Sequence, residues 1–391
     1  MKKTILKKPT VIFFVSIIVF YIICFCFTLG PDKVTAYFSS FTFSEEFGSK
    51  KPLSVKNFEN LNSNEKKAYI CVLEQIESHP EYIKIPELTQ TEFNNVYFAV
   101  KNDNPDILCF SDSCNMVSYM SASFLQMNYA HDTEKCGTMK EELLTKVDEI
   151  MQNISTEDEY SAELYIHDYI VENCVYTEET GNSSNAYGCL VENKAVCSGY
   201  SRGAMLLLAE AGIESMLVGG TGVTTENDNI SHMWNIVWID GNPYHLDVTW
   251  DDPTTTNNAI SHMFFNLTTG NISYDHKDLT TDIECVARDS NYFVEEKLMF
   301  DDYNRQILAD ITARLVENIK NGKNYIEIEF ADNNAYQKAV ESIIDNSSYA
   351  SDMYDIIEEI YAQTDDNVDT SHINFVKEDS KCYIRLMFDT K

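Results

Sequence analysis

Cys197 is the residue of this sequence best placed to act as a nucleophile. It lies in the stretch NKAVCSGYSRGAMLLLAEAG, where an irregular segment gives way to a helical pattern. A cysteine at a helix start lies near the positive end of the helix dipole, which favours the nucleophilic thiolate. The free N–H groups of that first turn can also bind an oxyanion. The small neighbours Ala195, Ser198 and Gly199 leave room for a substrate. On this stretch alone, a packing role for the cysteine stays open.

A nucleophilic cysteine needs a base and a group that orients the base, and a predicted hairpin supplies both. The segment HMWNIVWIDGNPYHLDVTWDDP indicates two strands around a two-residue turn at Asp240-Gly241. In that register His232 faces Thr249, and Asp247 is its diagonal neighbour on the same face. His245 has the opposite parity and points to the other face. The hairpin therefore predicts that His232 meets Asp247, provided that the turn has two residues.

The remaining histidines and the tryptophans give weaker signals. His131, His167, His262 and His276 have no partner in evident reach in the sequence. His167 lies in the middle of a predicted helix, where a core or surface role is the default. The tryptophans at 234, 238 and 250 have two interpretations, a core position or a substrate shelf.

Three ordered motifs carry a family resemblance. They are Cys197-Ser198-Gly199-Tyr200, His232-Met233-Trp234-Asn235 and Asp247-Val248-Thr249-Trp250-Asp251. With the upstream segments LYIHDYIVENCVYTEE and AYGCLVENKAVCSGY, they resemble the bacterial branch of the transglutaminase-like superfamily over about residues 160 to 255. One departure from the family pattern is Ala195, where many members have glycine.

The resemblance implies a papain-like centre with Cys197 as nucleophile, His232 as base and Asp247 as the residue that orients it. The side-chain donor to the oxyanion is not identified by the motifs. Tyr187 and Tyr200 are candidates for it, and Trp234 is a candidate for substrate binding. We expect no cofactor and no metal.

The expected activity is that of a thiol enzyme which acts on peptide or side-chain amide bonds through an acyl-enzyme. Hydrolysis by a peptidase or amidase is favoured, because no calcium-loop pattern of a calcium-switched cross-linker is visible. Protein-glutamine gamma-glutamyl transfer is the alternative. A non-catalytic binding or scaffolding module at the cell surface is the alternative from another class.

The predicted fold class is α+β. A papain-like, transglutaminase-like core, in which the helix carrying Cys197 packs on an antiparallel sheet, is flanked by smaller α+β regions. The ranges are 1–30 for a membrane anchor or signal segment, 31–62 for a tether, 63–150 for an N-terminal α+β region, 151–298 for the core and 299–391 for a C-terminal α+β domain.

Charge and the N-terminal segment suggest partners and location. The net charge of −33 argues against nucleic-acid binding. Residues 11–29 are apolar and follow four lysines, which predicts a single-pass anchor with the bulk of the chain outside the cell membrane, or a cleaved signal segment. The expected partners are a protein or peptide substrate at the cell surface or cell wall, and the membrane through this segment.

The cysteines outside the anchor are odd in number. Cys109 and Cys114 could close a small disulfide loop, and buried free thiols are the equal alternative. We expect Cys197 to be the cysteine that stays unpaired.

Overall fold

The computed structural model describes residue 30 and residues 43–119, 122–154, 158–224, 228–252, 260–345, 351–364 and 368–390. The chain divides between Thr145 and Lys146 into two compact units. Both units combine helices with sheets, which confirms the α+β class.

The first unit contains a three-stranded antiparallel sheet with strand order β1-β3-β2. Capping boxes start two of its helices, at Asn62 with Glu65 and at Thr89 with Glu92, which satisfies the N–H groups of each first turn. Its elements are α1 (Lys56–Glu59), α2 (Ser63–Gln75), β1 (Tyr82–Ile85), α3 (Gln90–Asp103), β2 (Phe110–Tyr119), β3 (Ala122–Tyr129) and α4 (Thr133–Met151), which crosses the boundary between the units.

The segment that we expected to be a tether is packed where the structure describes it, from residue 43 onwards. The ring of Phe47 lies 4.6 Å from that of Phe58, which lies 5.0 Å from Tyr69. Because Phe58 and Tyr69 are buried, this part of the chain contributes to the hydrophobic core of the first unit.

The disulfide of the first unit joins Cys109 to Cys136, so the predicted pairing of Cys109 with Cys114 is wrong. Cys114 lies on β2 beside Met127 and is free. Seven described cysteines are unpaired. Cys197 is therefore free as expected, but it is not alone in this.

The second unit holds three sheets. Its elements are α5 (Glu159–Asn173), β4 (Val175–Tyr176), α6 (Ala186–Leu190), β5 (Lys194–Ala195), α7 (Cys197–Glu210), β6 (Ser215–Val223), β7 (Asn229–Ile239), β8 (Asn242–Leu246), α8 (Thr269–Ile272), β9 (His276–Lys277), α9 (Tyr292–Glu295), β10 (Met299–Phe300), α10 (Arg305–Lys320), β11 (Tyr325–Phe330), α11 (Asn333–Ala339), α12 (Ser351–Gln363), β12 (Val368–Glu378) and β13 (Tyr383–Thr390).

Helix α7 packs on the antiparallel sheet β8-β7-β6-β9, as predicted for the core. Most of α7 is buried, and its apolar residues Ala204, Leu207 and Leu208 are inaccessible to solvent. Gly212 follows the helix with a φ of 81°, a left-handed conformation that glycine adopts without strain.

The hairpin β7–β8 has the predicted register. Ile239 pairs with Asn242 and Ile236 with His245, around a turn in which Asp240 and Gly241 have φ values of 50° and 78°. Two positive φ angles in a two-residue loop match the twist of the flanking strands. The pairing ends at Leu246, so Thr249 is not part of the ladder opposite His232 as we expected.

The C-terminal region forms the mixed sheet β10-β11-β13-β12 with helices α10 to α12. Its last two strands make a hairpin, and Lys381 is the last residue of the turn Asp379–Lys381 that joins them. The region lies in the same compact unit as the sheet that packs against α7.

No helix in the described part of the chain is long and apolar enough to cross a membrane. Helix α4, for example, has 19 residues but carries charged side chains throughout. A spanning helix needs about 20 predominantly apolar residues. The finding contradicts the predicted single-pass anchor and the location that depended on it. The segment itself, residues 11–29, lies outside the described residues.

Candidate active site

Cys197 is the first residue of α7, and close backbone packing holds it there. Val196 precedes the helix in an extended conformation, and its N–H donates to the carbonyl of Ser183. A Cβ atom on Gly199 would lie 2.3 Å from the same carbonyl oxygen. Only glycine therefore allows the first turn of α7 to approach this loop, which sets the position of the cysteine.

Polar contacts join α7 to β7, the strand that carries the histidine. The hydroxyl of Ser201 lies 2.8 Å from the carbonyl oxygen of Cys197 and 2.9 Å from that of Met233. The amide of Asn235 donates to the carbonyl of Ser201 at 3.1 Å. Because Met233 is adjacent to His232, these contacts fix the cysteine relative to the histidine.

His232 lies between Asp247 and Cys197. Its Nε2 is 2.6 Å from Asp247 Oδ2, and the side chain of Cys197 is close enough to the imidazole to help raise its pKa. Both His232 and Asp247 are buried, while Cys197 is partly exposed. The structure thus brings together the three residues predicted as catalytic. His245 is turned away from Asp247, as parity predicted, and receives a hydrogen bond from the indole of Trp234.

The electrostatics favour a charged pair of imidazolium and carboxylate. Burial opposes the charge on His232, but the neighbouring Asp247 carboxylate and the contact with Cys197 outweigh it and raise the pKa of His232 to about 10. Burial likewise opposes the charge on Asp247, yet His232 and His276 hold the pKa of this carboxyl well below its usual range. His232 is therefore protonated at neutral pH in the resting site.

His276 is a second histidine that contacts the carboxylate of Asp247, and it was not predicted from the sequence. Its Nε2 lies 2.9 Å from Asp247 Oδ2, and its Nδ1 lies 2.7 Å from Oδ1 of Asp275. Gly220 pairs with His232 on one side of β6, and Gly222 pairs with His276 on the other. The glycines of GGTG, which allow β6 to be paired closely on both edges, were the signal in the sequence.

The same glycines make room for two tryptophans. A Cβ on Gly220 would lie 2.8 Å from the ring of Trp234, and one on Gly222 would lie 2.8 Å from the ring of Trp250. Trp234 is 1% exposed and stacks beside His232 with a ring separation of 5.9 Å. Its position is that of a core residue supporting the imidazole. Trp250 lies 5.2 Å from His232 and is only partly buried.

The tyrosines of the site occupy different environments. Tyr187 is buried in α6, and the hydroxyl of Tyr200 binds the carboxylate of Asp252 at 2.5 Å. Tyr176, which the sequence did not single out, has its hydroxyl near the backbone N–H of Cys197. The short parallel pairing of β4 with β5 matches Tyr176 to Ala195 and so brings its ring beside the cysteine. Burial and the nearby charge of Cys197 raise the pKa of Tyr176.

A second buried network lies in the same unit. His262 Nε2 is 3.0 Å from Asp168, and its Nδ1 is 2.7 Å from Glu327 on β11. His167 bridges Asp168 at 2.9 Å and Asp251 at 3.2 Å. These side chains connect α5, the segment after β8 and the C-terminal sheet. No partner of either histidine was evident from the sequence. Apart from the contact of His167 with its neighbour Asp168, every contact joins segments that are distant along the chain.

Two groups of side chains offer atoms of the types that bind metals. Their nitrogen and oxygen atoms are 2.6–3.0 Å apart, which are hydrogen-bond distances. A tetrahedral zinc ion with bonds of about 2.0–2.1 Å would hold its ligand atoms about 3.3 Å apart. Binding of such an ion would therefore require these nitrogen and oxygen atoms to move apart. The groups are His232, Asp247 and His276, and His167, Asp168 and His262.

A cavity of about 460 Å³ opens at Trp250, the neighbour of His232. Trp250 forms one wall and contacts His232 on its other side. Aromatic rings and charged groups share the lining, so the cavity suits a ligand with both apolar and polar parts. Lining residues include Trp250, Phe264, Tyr274, Asp275, Glu378 and Lys381.

Comparison with known proteins agrees with the resemblance seen in the motifs. Residues 147–248 match the family model of the transglutaminase-like superfamily, which confirms that resemblance. No curated protein matches the chain.

Solved structures similar to the chain share little sequence with it. A candidate cysteine protease from Cytophaga hutchinsonii is 15% identical, with a TM-score of 0.23, over 35% of this chain and 61% of that one. A TGase is 13% identical, with a TM-score of 0.26, over 45% and 52%. A candidate protease from Parabacteroides distasonis is 12% identical, with a TM-score of 0.21, over 34% and 35%. The chain thus spans less than two thirds of each.

Proposed function

We propose that this protein is a transglutaminase-like thiol enzyme that acts on amide bonds of proteins or peptides through an acyl-enzyme on Cys197. The observation that carries the proposal is the position of His232, which contacts Asp247 at 2.6 Å through Nε2 and has the Cys197 side chain as a neighbour that helps raise its pKa. Such a line of nucleophile, base and orienting acid is what covalent catalysis by a thiol requires.

The first half-reaction forms the acyl-enzyme. The thiol proton resides on His232, and the sulfur of Cys197 attacks the amide carbon to give a tetrahedral oxyanion. The N–H groups at the start of α7 stabilise that charge, and Tyr176 has its hydroxyl at the Cys197 N–H to assist them. The carbon–nitrogen bond then breaks, and the leaving amine takes the proton from His232.

The second half-reaction releases the acyl group. His232 accepts a proton from water, which attacks the thioester and yields a carboxylic acid and the free thiol. We favour this hydrolytic outcome, because the sequence has no calcium-loop pattern of a calcium-switched cross-linker. If an amine replaces water, the same steps make a new amide bond and the protein is a transferase.

The substrate approaches from the cavity at Trp250. Trp250 lines this space, and its ring lies 5.2 Å from that of His232, so a chain bound there reaches the catalytic residues past Trp250. A non-catalytic binding module has little need for an imidazole that contacts a buried carboxylate and has a cysteine as its neighbour, so we favour catalysis.

Thiol labelling tests the enzyme proposal, and the chain contains its own controls. Cys114 and Cys382 are free and partly exposed, and burial raises the pKa of both. We expect iodoacetamide to label Cys197 faster than either of them at pH 7, and His232→Ala to abolish the difference. Equal labelling of the three cysteines would contradict the proposal.

Mass spectrometry of model peptides separates hydrolysis from transfer. Peptides that contain glutamine and internal amide bonds are incubated with the enzyme, with and without a primary amine such as putrescine. Cleavage or deamidation that does not depend on the amine supports a hydrolase, whereas incorporation of the amine as the main product shows a transferase. Cys197→Ala is the control for both products.

A further inference from the structure

The carboxylate of Asp247 is held by four donors. Oδ1 accepts hydrogen bonds from the backbone N–H groups of Thr249 at 3.1 Å and Trp250 at 3.3 Å. Oδ2 faces His232 at 2.6 Å and His276 at 2.9 Å. The side chains of Asp247 and His276 are fully buried, so no solvent replaces a lost donor without rearrangement.

The contacts continue from His276 into the C-terminal region. Asp275 Oδ1 lies 2.7 Å from His276, and its Oδ2 lies 3.1 Å from the ammonium of Lys381. The Lys381 side chain is only 6% exposed, and its Nζ lies 4.4 Å from the ring centre of Phe264. Among the described residues, no acceptor forms a hydrogen bond of suitable geometry with this ammonium. The negative charge of Asp275 and the face of the Phe264 ring therefore hold it in place.

We propose that His276 is a positioning residue of the catalytic centre, which fixes the Asp247 carboxylate so that His232 keeps its orientation toward Cys197. Asp275 holds the far side of the His276 ring, and Lys381 balances the charge of Asp275. The hairpin of the C-terminal region thereby completes a centre whose nucleophile is almost two hundred residues away. This inference rests on the proposed function.

Two distinct effects are expected when His276 is lost. Asp247 Oδ2 keeps one partner instead of two, so the carboxylate gains freedom and the imidazole of His232 loses its fixed orientation. The change removes no residue that lines the cavity, so the main effect is expected on kcat and only a smaller one on KM. Charged or titratable groups around His276 are Asp247, His232, Asp275, Lys381 and His245.

The test measures the pH dependence of Cys197 alkylation by iodoacetamide together with kcat and KM. We expect His276→Leu to slow alkylation at pH 7 and to lower kcat by at least about tenfold, part of the roughly 10²–10⁴-fold that a positioned acid–base supplies. The pH dependence of alkylation should differ from that of the wild-type protein. His276→Gln keeps an N–H donor for Asp247 and should recover most of the loss.

Lysine variants test the contribution of the hairpin. Lys381→Met should change the alkylation profile in the same direction as His276→Leu but by less, whereas Lys377→Met, at an exposed position of the same hairpin, should leave it unchanged. These two variants and His276→Gln keep the test decisive if His276→Leu does not fold.

The outcomes separate the inference from the proposed function. If Cys197 of the wild-type protein reacts no faster than Cys114 and Cys382, the proposed function fails and the inference fails with it. If wild-type Cys197 is reactive but His276→Leu has the same pH profile and kcat, only the inference is overturned. A His276→Gln variant as impaired as His276→Leu would also overturn it, because the donated hydrogen bond would then not be what matters.

Discussion

Asp247 Oδ2 lies 2.6 Å from Nε2 of His232, and this contact is buried on both sides. The aspartate follows the end of β8, and the histidine lies on β7, so the hairpin that joins the two strands sets their separation. A charge-assisted hydrogen bond of this length in a buried setting both orients the ring and favours its charged form.

Replacement of Asp247 by asparagine should therefore lower activity and change its pH dependence. We expect Asp247→Asn to reduce kcat by roughly 10²–10⁴-fold, because the ring of His232 loses its acceptor. The Asp247 charge is also the main factor that raises the pKa of His232 to about 10, against the opposing effect of burial. The protonated imidazole is thus lost at a lower pH in the variant, and the alkaline limb of kcat/KM should move down.

The pH–rate profile of the variant, measured beside that of the wild-type protein, checks this prediction. Asp240→Asn is the matched control, because it makes the same change in the turn of the same hairpin at a φ that asparagine tolerates. An alkaline limb that stays in place in Asp247→Asn would contradict the assignment of Asp247 to His232.

Tyr176→Phe should lower kcat with little effect on KM. The hydroxyl of Tyr176 is at the backbone N–H of Cys197, where the oxyanion is expected to form. Loss of one oxyanion donor costs about 10²–10³-fold in kcat. Steady-state kinetics test this, with Tyr354→Phe as the control, since Tyr354 is an exposed residue on α12. A Tyr176→Phe variant with unchanged or higher kcat would show that the hydroxyl has no such role.

The strand and turn signals of the sequence were sufficient to predict that His232 meets Asp247, whereas the place of Cys197 beside them was implied by the family resemblance. A period of two residues and an Asp-Gly turn determine which side chains share a face, and the structure has that register around Asp240-Gly241. Local patterns of this kind do not depend on the rest of the fold, so they can be identified without it.

The support around those residues was not predictable in the same way. His276 reaches Asp247 because β9 pairs with β6, and Lys381 reaches Asp275 from a hairpin more than one hundred residues further along the chain. Cys136 pairs with Cys109 for a similar reason. A local sequence period carries no information about contacts between segments so far apart. For each of these residues, the sequence also contains several other residues of the same type as its actual partner.

Gly222→Ala should reduce both stability and activity. The added Cβ would lie 2.8 Å from the ring of Trp250 and 3.4 Å from the Cβ of His232, so one of these side chains has to move. Overpacking of this kind costs roughly 1–3 kcal/mol. Urea unfolding and kcat test the prediction, with Gly219→Ala as the control, because its Cβ approaches no atom closer than 3.4 Å. Equal effects of the two substitutions would show that Trp250 accommodates the change.

His262 should make the stability of the protein depend on pH above neutrality. Burial opposes its charge, but Asp168 and Glu327 raise the pKa of His262 to about 10, from an ordinary value near 6.5. Since the folded pKa exceeds the unfolded one, the stabilisation is complete below about pH 6.5 and is lost as the pH rises through about 10. Removal of the ring leaves two buried carboxylates without this partner, which costs about 3–5 kcal/mol.

Thermal unfolding of His262→Gln at pH 6, 8 and 10 checks this expectation. The difference in Tm between the variant and the wild-type protein should be largest at pH 6 and should shrink toward pH 10, because the wild-type protein loses the charged interaction over that range. His131→Gln is the control, since His131 is exposed. A difference in Tm that stays constant from pH 6 to pH 10 would show that His262 contributes by packing alone and not by its charge.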